Sequence, residues 1–342
     1  MTAGTIPTHA RPLWCRVLLT REMAMVALLA VVLVVAAVTV PKFATPATVT
    51  YLLLDVAVIL LIALPMTPIM ITGDIDLSVG SMVGLGSVVF GVAHQAGAGV
   101  LSALLLALGV GVLGGLLNGL LVTRVGLPAL AVTIGTMALF RGIAVGLLGT
   151  TAVTQFPREW TALAKARIPG TPIPLIMIVF LVLLVFFVVL LHATTFGRGV
   201  YAIGLSREAA RFNGVAVART RLVLFVLSGV LSAFAGVYFT LRFGSARGDN
   251  ATGYELQVIA AVVLGGVSVF GGRGMLHGVV AGVLVVGALA NALRLAGVTA
   301  DFINIITGCL LVLSVMAASW LDWARRRRSR RNSSESNKGK VQ

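Results

Sequence analysis

Residues 172–241 read PIPLIMIVFLVLLVFFVVLLHATTFGRGVYAIGLSREAARFNGVAVARTRLVLFVLSGVLSAFAGVYFTL. Two apolar runs, 172–192 and 221–241, flank a loop that carries Arg198, Arg207, Arg211, Arg219 and Arg221. Each run is about the length a helix needs to cross a ~30 Å hydrocarbon core. Their apolarity is continuous rather than alternating, which excludes the strands of a β-barrel. The stretch therefore reads as two membrane helices joined by a basic loop, and the rest of the chain follows the same pattern.

Of the 342 residues, 58% are hydrophobic and 11% charged, with a mean hydropathy of +1.05. A soluble domain carries about 25% charged residues, so the sequence describes an integral membrane protein of all-α class. Ten spans are expected, near 23–40, 50–71, 78–96, 101–122, 128–149, 172–192, 221–241, 255–270, 276–295 and 302–320. The net charge of +15 lies on flanks: Arg11, Arg16 and Arg21 before the first span, the 193–221 loop, and the RRRRSRR run at 325–331. Basic flanks mark the cytoplasmic face, and an even number of spans puts both termini there. Arg124 and Arg273 fall on the same side, and the loops 150–171, 242–254 and 296–301 on the other. The basic 150–171 loop mildly violates the rule, but the 193–221 loop is more basic. The distribution gives no support for a nucleic-acid site.

The expected organisation is a cytoplasmic segment 1–22, a transmembrane domain 23–320 with a cytoplasmic loop 193–221, and a basic, disordered cytoplasmic tail 321–342. The first apolar run ends AAVTVPKF, a poor cleavage site, so it reads as a retained helix rather than a signal peptide. Cys15 and Cys309 imply no disulfide framework.

The halves of the chain repeat. Shifted by 179 residues, Asp76-Leu77 meets Glu255-Leu256 and Leu85-Gly86 meets Leu264-Gly265; shifted by 173, GGLLNGLL (114–121) meets GALANALR (287–294) and pairs Asn118 with Asn291. Leu, Gly and Val coincide readily in an apolar chain, and the paired asparagines are what lift the match above that background. Two five-helix units in tandem must have opposite orientations, the inverted-repeat plan of many transporters.

Polar residues at membrane depth take matched positions. Pro65 and Pro68 should break the second helix, after which ITGDIDLSVGS (71–81) starts the third. Asp74, Asp76 and Ser78 could simply cap that helix. Two carboxylates beside hydrocarbon exceed what capping needs, so capping combined with a polar route or gate is the other reading. In the matching segment 243–257, Tyr254, Glu255 and Gln257 offer an aromatic face and hydrogen-bonding groups of the kind that hold polyols. Interfacial anchoring explains Tyr254 equally well. Asn118 and Asn291 suit either a pathway or helix-to-helix hydrogen bonds. No central Lys or Arg stands out to hold an anion, so the cargo reads as neutral and polar.

Enzyme chemistry finds no footing. The four histidines are scattered, no HExxH or GxSxG occurs, and LGGVSVFGGRG lacks the GxxxxGK[ST] pattern of a phosphate loop. In the basic loop, Ser206 can cap a helix starting at Arg207. Glu208 falls in its first turn, Ala209 and Ala210 form a small face, and Gly214 can end it with positive φ. A solvated loop helix and a docking helix whose Arg207 and Arg211 meet acidic residues of a partner are both open on this pattern.

EAARFNG (208–214) resembles the EAA-xxx-G coupling motif of ABC importer permeases. TGDIDLSVGS (72–81) and GYELQVIAAVVLGGVSVFGGRG (253–274) resemble signatures of their sugar group, which covers ribose, rhamnose, related monosaccharides and autoinducer-2. The resemblance implies a ten-helix permease that pairs with a second permease copy or homologue. It implies two cytoplasmic ATPase subunits docked through Arg207, Glu208, Ala209, Ala210, Arg211 and Gly214, and an extracytoplasmic solute-binding protein that delivers cargo. It also implies no cofactor on this chain, ATP and Mg being held by the partners, and a bacterial cytoplasmic membrane location. Rhamnose and autoinducer-2 permeases look nearest, ahead of ribose. Asp74 stands where many members carry Gly or Ala, a departure with consequences for gating or cargo. An ion-coupled secondary transporter is the rival reading, since inverted repeats and membrane carboxylates occur there too.

Overall fold

The computed structural model describes residues 21–299 together with 301–303, 305, 306, 308, 309 and 312. The expected N-terminal segment, most of the tenth span and the basic tail lie outside these residues. The described residues form helices α1 (Arg21–Thr39), α2 (Pro46–Ile71), α3 (Val79–Gln95), α4 (Val100–Leu120, prolonged by a π-helical turn Leu121–Val125), α5 (Ala129–Leu148) and α6 (Arg158–Lys165). There follow α7 (Ile176–His192), α8 (Thr195–Leu205), α9 (Arg207–Phe212), α10 (Val217–Phe243), α11 (Tyr254–Leu264) and α12 (Leu276–Leu295).

Five helices are long and apolar enough to cross a membrane: α2, α4 with its π turn, α5, α10 and α12. A sixth span arises if α7 and α8, bent by 68° at their junction, are one unit. This is an all-α polytopic membrane architecture. Three sequence expectations change. The eighth apolar run, 255–270, is helical only to Leu264, because Gly266, Gly271, Gly272 and Gly274 all take positive φ and turn the chain through a loop. Residues 195–205, expected as loop, form α8, with the Thr194 hydroxyl accepting from Gly197 N–H at its start. Pro65 and Pro68 do not break α2, which runs unbroken to Ile71; the break comes after them, at Thr72–Ser78.

The centre of the fold is the antiparallel pair α2 and α10. Asp55 near the start of α2 meets Arg242 near the end of α10, and Asp74 just beyond α2 meets Arg221 near the start of α10. Around this pair the halves cross over. α10 packs on α4 and α3 of the first half, while α2 packs on α12 and α11 of the second. The α4–α10 seam is antiparallel and built on glycine: Cβ atoms placed on Gly111, Gly115 and Gly119 would meet Gly229, Phe225 and Leu222 in turn. Small residues allow this backbone approach, the main source of helix association in lipid. On the other side Arg294 at the end of α12 meets Asp55, so α12 runs antiparallel to α2. Equivalent helices, α2 with α10 and α4 with α12, thus run in opposite directions, as an inverted repeat requires.

Same-side loops also gather at the same end. Gly272 N–H donates to Ile71 O (2.8 Å), and Arg207 and Arg221 bind Asp74, which joins segments 72–78, 193–221 and 265–275. At the opposite end Val153 pairs with Ala246 in an isolated antiparallel bridge, which joins the loops 149–157 and 244–253.

Candidate coupling and translocation site

Helix α9 is built as its sequence suggests. Ser206 is in extended backbone and its hydroxyl accepts from Ala209 N–H (3.2 Å); Glu208 lies in the first turn. Gly214 takes φ +79° and donates to Arg211 O (3.0 Å), while Val215 N–H closes back on Ala210 O. Such a left-handed residue is the usual helix stop, and glycine bears it without strain. Glu208, Ala209 and Arg211 are exposed, and Phe212 is 92% exposed. Beside α9 a groove of about 420 Å³ is lined by Thr123, Arg124, Arg211, Arg219 and Leu222 among others. Two residues differ from expectation. Ala210 is buried within the chain, so only Ala209 contributes a small outward face. Arg207 is no free rim charge: its guanidinium binds Asp74 Oδ1 at 2.8 Å.

The segment 72–78 carries a cluster of buried polar residues, Thr72, Asp74, Asp76 and Ser78. Asp74, 4% exposed, is gripped by Arg221 through Nε (2.6 Å) and Nη2 (2.8 Å), by Arg207, and at 3.3 Å by the Thr72 hydroxyl. It caps no helix. Asp76 is the residue that turns the chain into α3, accepting from Ser78 N–H (3.0 Å) and the Ser78 hydroxyl (2.6 Å). Its other oxygen accepts from Ser228 (2.8 Å) near the middle of α10. Ser78 makes no side-chain cap of its own; it receives Asn118 Nδ2 at 2.8 Å, which leaves Asn118 Oδ1 buried without a partner. Asp76, Ser78 and Asn118 thus come together, and Ser228 joins them. Thr133 adds a longer contact, donating to Ile75 O at 3.2 Å.

The second half supplies the opposing piece. After α10 the loop 244–253 doubles back, with Asn250 Nδ2 donating to Ser87, whose hydroxyl also bonds Thr240. Glu255 then sits at the start of α11 with its Oε2 buried and unpartnered, against Gly80 of α3, where any Cβ would run into that carboxylate. The N-termini of α3 and α11 therefore face each other deep in the fold. Discontinuous helices that meet by their positive ends at mid-depth are the usual frame of a transporter's pathway. Tyr254 is half-buried and packs edge-on to Phe239; Gln257 is half-buried. Asn291 lies apart on α12 with Oδ1 buried and unpartnered, so the structure does not bring it to Asn118.

Arg141 of α5 is an arginine within a span that the sequence reading did not single out. Its guanidinium donates to Gly248 O (2.7 Å), Asn250 O (2.9 Å) and Gly80 O (3.3 Å) and interacts electrostatically with Glu255. These carbonyls take up its donors, so it pins the doubled-back loop instead of presenting a free cation. Asp55 was likewise passed over; it binds Arg242 and, at 2.9 Å, Arg294. In the exposed loop, hydrogen bonds from Arg247 hold the Asp249 carboxyl below its ordinary range. An ionisable residue inside an apolar run is a recognised signal of function or pairing, and it would have singled out both Asp55 and Arg141. Among the described residues no group of His, Cys, Asp and Glu could hold a metal.

Crossed-over halves and facing half-helices define a polytopic membrane transport subunit. Residues 48–315 match the family described as branched-chain amino acid transport system / permease component, and the chain belongs to that family of ABC importer permeases. It is 38% identical over 282 residues to the autoinducer 2 import system permease protein LsrD of Yersinia enterocolitica, covering 79% of this chain and 85% of that protein. LsrD of Yersinia pseudotuberculosis is 37% identical over 286 residues, 80% and 85% of the two chains. No solved structure matches. The chain is a multi-pass transport subunit, and its family works with ATPase and solute-binding partners. Membership favours ATP-driven import over ion-coupled transport.

Proposed function

We propose that this chain carries a monosaccharide-like, neutral polar solute into a bacterial cell across the cytoplasmic membrane, with autoinducer-2 or rhamnose favoured and ribose next. Two permease subunits, identical or homologous, surround the pathway, and an extracytoplasmic binding protein feeds it. Two cytoplasmic ATPase domains dock on α9, with both chain termini on that side; they hold ATP and Mg, and this chain binds no cofactor and hydrolyses nothing. The observation that carries the reading is α9 itself: a separately capped helix that displays Glu208, Ala209, Arg211 and a fully projecting Phe212 beside an arginine-lined groove. An exposed aromatic beside cationic side chains suits a partner with an apolar pocket and an acidic rim. Cargo preference rests on the identity to proteins named for autoinducer 2 import. Asp76, Ser78, Asn118, Tyr254, Glu255 and Gln257 lie along the pathway or its gates, and Asn291 contributes from α12.

The test is uptake into proteoliposomes that hold this permease with its ATPase, supplied with binding protein and labelled autoinducer-2, rhamnose or ribose. Uptake that follows ATP and ignores a protonophore is expected, and Glu208→Lys should abolish ATPase association. Uptake that collapses with the protonophore at constant ATP overturns the proposal.

A further inference from the structure

We propose that Asp74 is a positioning residue that ties the docking helix to the gate, so that movement of α9 reaches the N-terminus of α3 through the Arg207–Asp74–Arg221 ion triad. The inference rests on the reading of α9 as the ATPase contact.

Three separate parts of the chain meet on one carboxylate. Arg207 is the first residue of α9 and Arg221 lies in the second turn of α10. Asp74 itself belongs to the linker between α2 and α3, two residues before Asp76. Oδ1 accepts from both arginines at 2.8 Å, and Oδ2 accepts from Arg221 Nε at 2.6 Å and from the Thr72 hydroxyl at 3.3 Å. Both oxygens are occupied and the residue is buried, so Asp74 has no capacity left to hold cargo. It accepts no N–H of α3, so it is not a cap. What remains is a mechanical role. The bidentate Arg221 fork fixes the carboxylate in orientation, and Arg207, with a side chain 48% exposed, is the partner that can move with α9.

A second contact runs alongside. Gly204, at the end of α8, lies on the backbone of Ile71 and Gly272, where any Cβ would collide with both, and Gly272 N–H holds Ile71 O at 2.8 Å. The elbow before α9 is therefore seated on the end of α2, and the salt link crosses from α9 to the linker beyond it. Two residues further on, Asp76 holds Ser78 and Ser228 and so sets where α3 starts. A displacement of α9 pulls on Asp74, and the short linker passes it to Asp76. A chain of packed and hydrogen-bonded groups of this kind carries coupling between sites.

The readout is solute imported per ATP hydrolysed in the reconstituted complex, a ratio that a purely structural role does not change. Arg207→Gln removes the exposed partner and leaves the buried Asp74–Arg221 pair intact, so the protein should fold and bind its ATPase as the wild type does. The ratio is expected to fall by about fivefold, the lower end of ordinary coupling between sites, with Arg207→Lys recovering part of it. In the Asp74→Asn background, Arg207→Gln should add no further loss. An unchanged ratio in Arg207→Gln overturns the inference, and so does weakened ATPase association in that variant, which would make Arg207 a docking residue. Failure of the underlying reading looks different: Glu208→Lys would leave ATPase association intact. If Asp74→Asn does not fold, the Arg207 variants still decide.

Discussion

Replacing Gly115 by alanine tests whether the α4–α10 seam holds the two halves together. A Cβ there would lie 2.5 Å from Phe225 O and 2.7 Å from Val226 Cα, both backbone atoms that no rotamer can clear. Carbon atoms pack at about 3.5 Å or more, so the helices must part locally by roughly 0.8 Å. A gap of that size forfeits about a quarter to a half of each dispersion contact along the seam. Overpacking costs about 1–3 kcal/mol, and backbone on both sides puts this site at the upper end. Alanine returns at most about 1 kcal/mol of helix propensity. The net expectation is a loss of about 2 kcal/mol, or about 30-fold in the folding equilibrium. SDS titration of the purified permease in mixed micelles, followed by tryptophan fluorescence, would read it, with Gly115→Leu worse than Gly115→Ala. Gly142→Ala is the control, since a Cβ there meets nothing within 4 Å. Coincident curves for Gly115→Ala and wild type would refute the close-packed seam.

Three further outcomes follow from other contacts. Arg141→Met leaves the Gly248, Asn250 and Gly80 carbonyls without their charged donor, worth about 1.5–3 kcal/mol per such bond; limited proteolysis or hydrogen exchange should show the 244–253 loop released, whereas unchanged protection would count against the pinning role. Ser228→Ala removes one of the hydrogen bonds that Asp76 accepts and should cost about 1–3 kcal/mol in the same unfolding assay, with uptake reduced as well. At the other end, Arg294→Gln should cost under about 1 kcal/mol because its side chain is 62% exposed, whereas Arg242→Gln removes the buried partner of Asp55 together with its bond to Leu54 O, while Asp55 keeps Arg294, and should cost about 1.5–3 kcal/mol; equal effects would argue against that distinction.

Much of the fold was legible because hydrocarbon imposes a simple length rule, and the long helices α2, α4, α5, α10 and α12 obey it. The rule misleads where apolar composition and backbone direction part company. The run 255–270 is apolar throughout, yet α11 ends at Leu264, because glycines beyond it need positive φ and the loop must return to Ile71. Helix α8 was missed for the opposite reason. Its glycines argue against a helix, but Gly197 and Gly204 are required where α8 crosses the backbones of Leu191 and Ile71, so tertiary contact overrides propensity. Asp76, Ser78 and Asn118 were found because their polarity stands out beside hydrocarbon. Arg221 was noticed only as a loop charge, since its part in the site depends on which carboxylate it reaches across 147 positions of chain.

That long-range pairing gives the inverted repeat its physical content. Because α2 and α10 run antiparallel, the linker after α2 lies beside the loop before α10 at one end of the fold. The loop after α10 lies beside the start of α2 at the other. Each linker then folds inward to begin a short helix, α3 or α11, and the two short helices meet where Glu255 abuts Gly80. The two ends match in their ionic contacts and differ in what is attached to them. At the α9 end one aspartate binds two arginines and connects to a projecting helix; at the other end Asp55 binds Arg242 and Arg294, neither of which, among the described residues, opens such a helix. The proposed docking of an ATPase on α9 would load this frame from one end only, through the Asp74 triad.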